Sequence, residues 1–226
     1  MRQLAENLWV VERPMRFFGV ELGTRMSVVR LPDGSLFLHS PVALDDALEA
    51  DLLRLGTPSF AVAPNRFHHL FIADYRRAFP QVELHAAPGL VDKRRDLTFD
   101  ALLSDEPAPR WRGHIDQELF AGFPLVGEVV FCHRATRTLL TCDLAFNIGA
   151  SAPWSTRLAF RMAGSFGRLG PTLMERLFIR DRAAARQSLE RILAWDFDRV
   201  VVTHGEVLES GGREALRSGY RWLLDA

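Results

Sequence analysis

Cysteine is almost absent: Cys132 and Cys142 are the only two in 226 residues. That excludes a disulfide framework, and their separation does not fit a CxxC metal or redox motif. Both fall in or beside apolar, strand-like sequence, where a buried and unreactive thiol is the ordinary role. Net charge is missing too, because 28 basic side chains balance 28 acidic ones. No overall field therefore draws the chain to nucleic acid or to an anionic membrane. Lysine is reduced to Lys93; the remaining basic residues are arginines, and in sequence they gather into no binding stripe. No run of ~18 apolar residues is present to span a membrane. The first seven residues carry charge where a signal peptide needs an apolar core. Neither an internal repeat nor a low-complexity tract occurs. The expectation is a soluble, cytoplasmic protein that meets a small-molecule substrate and no nucleic acid.

What is present is hydrophobic pattern. At 48% hydrophobic, the chain has enough material for one substantial core, and a single domain over residues 1–226 is expected. Residues 8–11 and 27–31 are rich in strand formers, and Pro32-Asp33-Gly34-Ser35 turns the chain back into 36–39, which predicts a hairpin over 27–39. Ser40-Pro41 reads as the cap and first turn of a helix whose Leu44, Ala47, Leu48, Leu52 and Leu55 keep period until Gly56. Phe60-Ala61-Val62-Ala63 is a wholly apolar strand. A helix over 69–78 and a strand over 82–86 follow, a βαβ spacing that implies parallel strands. From 93 to 112 the pattern weakens, and strands return at 115–120, 128–131 and 138–141. Residues 152–180 read as a helical insertion broken near Gly164, Gly167 and Gly170-Pro171. Asp181 caps the next helix, residues 200–203 form a last buried strand, and a helix over 213–224 closes the chain.

Three apolar strands end on side chains that bind metals. Val62-Ala63 leads to His68-His69, Leu139-Leu140-Thr141 to Asp143, and Val200-Val201-Val202-Thr203 to His204. Strand ends line the crevice where α/β folds place ligands. Imidazoles and a carboxylate suit a divalent transition metal. Adjacent histidines on a strand point to opposite faces, whereas in the first turn of a helix they lie about 100° apart and both reach one ion. The seven histidines also include His39, His85, His114 and His133, which read as ordinary hydrogen-bonding residues.

The order strand, histidine-rich loop, helix, strand, Asp after a strand and His-Gly after a late strand resembles the metallo-β-lactamase fold of metal-dependent hydrolases. More narrowly, Ala63-Pro64-Asn65-Arg66-Phe67-His68-His69-Leu70-Phe71, the stretch from Ile192 to Val200, and Thr203-His204-Gly205-Glu206 resemble the uncharacterised DUF4336 branch. The resemblance implies a four-layer αββα sandwich of α/β class, with the 152–180 insertion added. It also implies a degenerate active site. Laid on the superfamily's H-x-H-x-D-H motif with the last histidine at His69, His68 replaces the aspartate, and Arg66 and Pro64 stand where the first two histidines would be. Pro124 falls near the place of the third histidine of that first metal site. The second site retains metal-binding residues at His68, His69, Asp143 and His204.

The expected function is therefore a mononuclear metal-dependent hydrolase, with one divalent ion activating water against an ester, amide or phosphoester bond. Zinc is the first candidate, iron or manganese the others. Asp143 and Glu206 are the candidate catalytic residues, Glu206 as general base or as partner of His204. Arg66 and Asn65 are candidates for substrate binding, Arg66 by its fork geometry. One competing reading is a non-catalytic protein, without need of a metal, that keeps the fold to bind a small molecule or a partner. Another is an iron-dependent redox protein. Residues 156–180 mix apolar side chains with five arginines and read as a cover over the site or a homodimer contact, with a membrane surface ranked last.

Overall fold

In a computed structural model, residues 1–17 and 19–225 are described. The chain opens with strands β1 (Arg2–Ala5) and β2 (Leu8–Arg13), a small hairpin of β3 (Arg16–Phe17) and β4 (Val20–Glu21), then β5 (Thr24–Arg30) and β6 (Ser35–His39). Helix α1 (Asp46–Leu55), β7 (Thr57–Ala63), α2 (Ile72–Ala78), β8 (Glu83–Ala86), the single turn α3 (Leu90–Lys93) and β9 (Ala101–Leu102) complete the first half. The second half runs β10 (Ile115–Leu119), β11 (Val129–His133), β12 (Thr138–Thr141), α4 (Trp154–Met162), α5 (Leu173–Phe178), α6 (Arg182–Ala194), β13 (Arg199–Val202), α7 (Gly212–Gly219) and α8 (Arg221–Leu224).

Two sheets result. The first has the order β1-β2-β5-β6-β7-β8-β9 and the second β10-β11-β12-β13. The expected hairpin is the antiparallel pair β5–β6, and the expected βαβ unit is the parallel pair β7–β8 around α2. Side chains alternate along each strand, so neighbours serve different layers. Met26 and Val28 face α1 and α2 in one apolar cluster, while Val29 joins the cluster between the sheets. Val130 and Cys132 of β11 pack with α6, α7 and α8, while Val129 and Phe131 face the other sheet. Three apolar layers thus separate four layers of structure, the αββα sandwich of the resemblance.

Local details differ from the sequence pattern. Helix α1 begins at Asp46, where Asp45 accepts the Leu48 N–H, and not at Ser40. A carboxylate at the cap competes better than a serine already held elsewhere: Ser40 has φ of 58° and its hydroxyl lies on His68. Helix α2 starts only at Ile72, so His68 and His69 occupy the preceding turn. The closing helix is two, because Gly219 packs against the Leu169 carbonyl and the Tyr220 hydroxyl donates to Leu144 O at 2.7 Å. The edge pieces β1, β3, β4 and β9 are too short for pattern reading.

Candidate metal centre

Register brings the site together. In the parallel pair β12–β13, Thr141 stands opposite Val202. Asp143 and His204 each lie two residues beyond that pair, so both emerge at the same edge. Across the sandwich, the Val129 N–H donates to Pro64 O at 2.8 Å, tying the end of β7 to the second sheet. That contact carries the His68 turn to Asp143.

His68, Asp143 and His204 each offer one ligand atom, and these atoms all lie within 4.8 Å of one another. His68 Nε2 stands 3.5 Å from Asp143 Oδ2, and His204 Nε2 stands 3.7 Å from Oδ1. Both separations exceed the usual hydrogen-bond length of about 2.7–3.2 Å. They match two ligands on one ion, whose atoms at ~2.1 Å from a metal lie roughly 3.4 Å apart at tetrahedral angles. The far nitrogens are held by the protein: His204 Nδ1–H donates to Gly23 O at 2.7 Å, and His68 Nδ1 lies 2.9 Å from Ser40 Oγ. The first bond fixes the tautomer that leaves Nε2 of His204 bare toward Asp143, the arrangement a metal ligand needs. Phe146 stacks on the His204 ring at 5.8 Å and 12°.

A hydrogen-bonded frame sets these side chains. Asn65 Oδ1 accepts the N–H groups of Phe67 and His68 at 2.8 and 2.9 Å, while its Nδ2 donates to Asp143 Oδ2 at 2.8 Å and to Glu128 Oε2 at 3.2 Å. Glu128 is the anchor beneath. Its carboxylate accepts from the Thr141 hydroxyl and from the N–H groups of Cys142, Asp143 and Leu144 at 2.6 to 2.9 Å. On the other side, Gly205 has φ of 102° and lies against the Asn147 carbonyl, a position only glycine occupies without strain.

Electrostatics follow from crowding. Burial pushes the Asp143 carboxyl up, but His68, then His204 and the Asn65 bond outweigh it and bring it down to about 2. For His68, burial opposes the charged ring, and Cys142 and Asp143 beside it prevail, holding it well above the ordinary imidazole value. Burial, and then the His68 charge, take His204 down to about 4. Burial and the adjacent Asp143 raise the Glu128 carboxyl.

Several candidates fall elsewhere. His69 is not in the cluster: its Nδ1 accepts from Arg94 at 3.0 Å, and burial with Lys93 and Arg94 takes it down to about 4. Adjacency in a turn sends the two rings apart, so the helical spacing that would have joined them does not apply. Asn65 is fully buried, with both ends of its amide engaged, and so braces the site and offers nothing to a substrate. Arg66 donates to the Pro124 carbonyl at 3.2 Å and lies along Gly89 and Gly127, so the arginine and the proline that replace first-site histidines face one another. Glu206 accepts the Ser151 hydroxyl at 2.5 Å and lines a cleft of about 880 Å³ with Arg16, Glu21, Leu22, Gly23 and Ile148. The three clustered side chains do not line that cleft; Gly23, which holds His204, does.

Sequence reading passed over the roles of Glu128 and Ser40, while Cys142 is the buried thiol it expected. Glu128 had a signal, a lone carboxylate leading into the apolar strand Val129-Val130-Phe131. Ser40 was absorbed into a helix cap. Cys142 is buried, receives the Thr203 hydroxyl at 2.9 Å and has its thiol pushed up by burial, so it behaves as an inert wall beside His68.

Comparison with known proteins agrees with this fold. The profile of a family described as a domain of unknown function (DUF4336) matches residues 5–164. No curated protein matches the chain. Among solved structures, a metallo-β-lactamase from Pontibacter korlensis is 13% identical, with a TM-score of 0.67 over 99% of this chain and 97% of that one. A metallo-β-lactamase from Pseudomonas aeruginosa in its mono-zinc form is 12% identical, with a TM-score of 0.60 over 99% and 92%. A metal-soaked flavodiiron core from Synechocystis sp. is 12% identical, with a TM-score of 0.63 over 97% of this chain and 59% of that one. At such identities the likeness establishes the fold alone.

Proposed function

This chain belongs to the DUF4336 family and has the metallo-β-lactamase fold, and we propose that it is a mononuclear metal-dependent hydrolase with His68, Asp143 and His204 as its ligands. The observation that carries the reading is the pair of 3.5 and 3.7 Å separations about Asp143, with the far imidazole nitrogens already engaged. Two imidazoles and one carboxylate fit a single zinc, iron or manganese ion and leave coordination positions open. A neighbour of the same fold has a mono-zinc form, which is consistent with single occupancy. When bound, a divalent ion supplies Lewis acidity that brings the pKa of water toward neutrality and polarises a scissile ester, amide or phosphoester group.

The chain's own residues do the rest. Asp143 supplies the anionic charge that the imidazoles lack, and Asn65 and Glu128 hold it from behind. In this reading Glu206, on the wall of the cleft that Gly23 and Gly205 also line, is the candidate proton carrier. The same donor set also serves non-haem iron, and the flavodiiron neighbour makes redox chemistry the second reading.

Metal analysis of protein purified without chelator tests both. About one ion per chain is expected, lost in Asp143→Asn and His204→Ala. Wild-type protein that carries no ion and takes up neither zinc, iron nor manganese would end the proposal. Zinc with turnover on an ester, amide or phosphoester panel supports hydrolysis, while iron with oxygen reduction supports the second reading.

A further inference from the structure

We infer that the outward face of α4 and α5 docks on an anionic lipid bilayer surface. On α4, Trp154, Leu158 and Met162 follow one another at helical spacing on the exposed side, Trp154 at 72% and Met162 at 70% exposure. The buried side of the same helix carries Thr156 and Phe160. Helix α5 has no buried residue, and Leu173, Met174 and Leu177 stand outward, Leu177 at 80%. A soluble surface rarely gathers so many large apolar side chains without a partner.

Charge selects the partner. Arg157, Arg161, Arg168, Arg176 and Arg180 share this segment with one acidic residue, Glu175, whose carboxylate is taken up by Thr172 in a capping box. None of the five arginines makes an ion pair among the described residues. Elsewhere most arginines find carboxylates, as Arg13 does with Asp45, Arg25 with Glu12 and Arg191 with Glu118. In a chain whose charges balance overall, the insertion is a local cationic excess interleaved with aromatic and aliphatic tips. Such a surface lies in the headgroup region of an anionic bilayer, apolar tips inserted and guanidinium groups on phosphates. A second copy fits worse, because a two-fold contact would set these arginines against their own counterparts.

Among the described residues no helix is long and apolar enough to cross a membrane, so the contact is peripheral. It is also close to the candidate site: Phe160, from the inner side of α4, packs on Phe146 at 5.4 Å, and Phe146 stacks on His204. The inference does not rest on a bound metal.

Cosedimentation of the full chain with vesicles tests it. Binding is expected to phosphatidylglycerol-containing vesicles at low salt, weakening as salt rises, and about tenfold weaker on phosphatidylcholine alone. Leu158→Glu combined with Leu177→Glu should lose about tenfold in bound fraction with an unchanged melting curve. If the pair impairs folding, Leu177→Glu alone serves, since that side chain touches little. Replacing Arg157, Arg161 and Arg180 by Gln should remove the preference for anionic vesicles. No cosedimentation at low salt, or equal binding to both vesicle types, overturns the inference. So does a dimer in light scattering that Leu177→Glu dissociates, which assigns the face to a second copy.

Discussion

Glu128 holds Asp143 by its backbone: the Asp143 N–H donates to Glu128 Oε2 at 2.6 Å, and the same oxygen receives Leu144 N–H at 2.9 Å. A buried carboxylate thus fixes the path of the chain beneath the proposed ligand Asp143. Glu128→Ala strands several buried donors and should cost about 3–5 kcal/mol in urea unfolding. Metal content should fall with it. Glu128→Gln keeps one acceptor oxygen and is expected to be milder; equal effects of the two would show that the hydrogen bonds are not what matters.

Asn65 makes the next prediction because it joins the His68 turn to Asp143. Asn65→Ala leaves the Phe67 and His68 N–H groups without their acceptor, at about 1–3 kcal/mol each. Retention of full stability and of the ion by this variant would refute its bracing role.

His69 and His204 should part company. His69→Ala is expected to keep about one ion per chain, since its ring meets Arg94 and not the cluster. Loss of metal in His69→Ala, at unchanged stability, would return it to the ligand set.

Acid should destabilise the metal-free protein through its buried neutral histidines. Burial, then His68, take His39 down to about 3, and its Nε2 has no hydrogen-bond partner among the described residues. The unfolded chain therefore takes up that proton first, so the contribution is complete above pH ~6.5 and is lost as pH falls toward 3. Asp143 acts in the same sense at lower pH, its contribution complete above ~3.9 and lost through about 2. His68 acts oppositely: its contribution is complete below ~6.5 and is lost as pH rises through its raised value. Replacing His39 by Leu should flatten the fall in unfolding free energy on acidification, read from urea titrations, by up to about 1.4 kcal/mol per pH unit. An unaltered slope would mean that His39 is not buried as a neutral ring.

Gly205→Ala should disturb His204 more than any surface change. The added methyl overlaps the Asn147 carbonyl at a φ of 102°, and Asn147 also pairs with His204 O and with Glu206. A loss of more than about 2 kcal/mol is expected in thermal or urea unfolding; a variant as stable as wild type would show that this loop yields.

The candidate site was partly legible because its strands announce themselves. Asp143 and His204 follow uninterrupted apolar runs, and His68 follows another, so strand ends and ligand types were readable without coordinates. His69 was misplaced because the helix was started three residues early, which changed where adjacent side chains point. Asn65 looked available to substrate because a polar residue beside a histidine pair carries no mark of being turned inward. The exposed face of 154–178 was visible only as a mixture of apolar residues and arginines.

Period and turn chemistry by themselves determined the β5–β6 hairpin, the βαβ unit and the Asp181 cap, since each depends on neighbours a few residues apart, while the sandwich followed from the family resemblance. Tertiary structure alone decided that Thr141 pairs with Val202, which aligns Asp143 with His204. It alone decided that Glu128 and Asn65 fill the space beneath them, and that Arg94 takes His69 away. Those contacts join residues far apart in the chain. Their geometry is set by strand register and by which buried donor finds which acceptor, and neither leaves a period in the sequence.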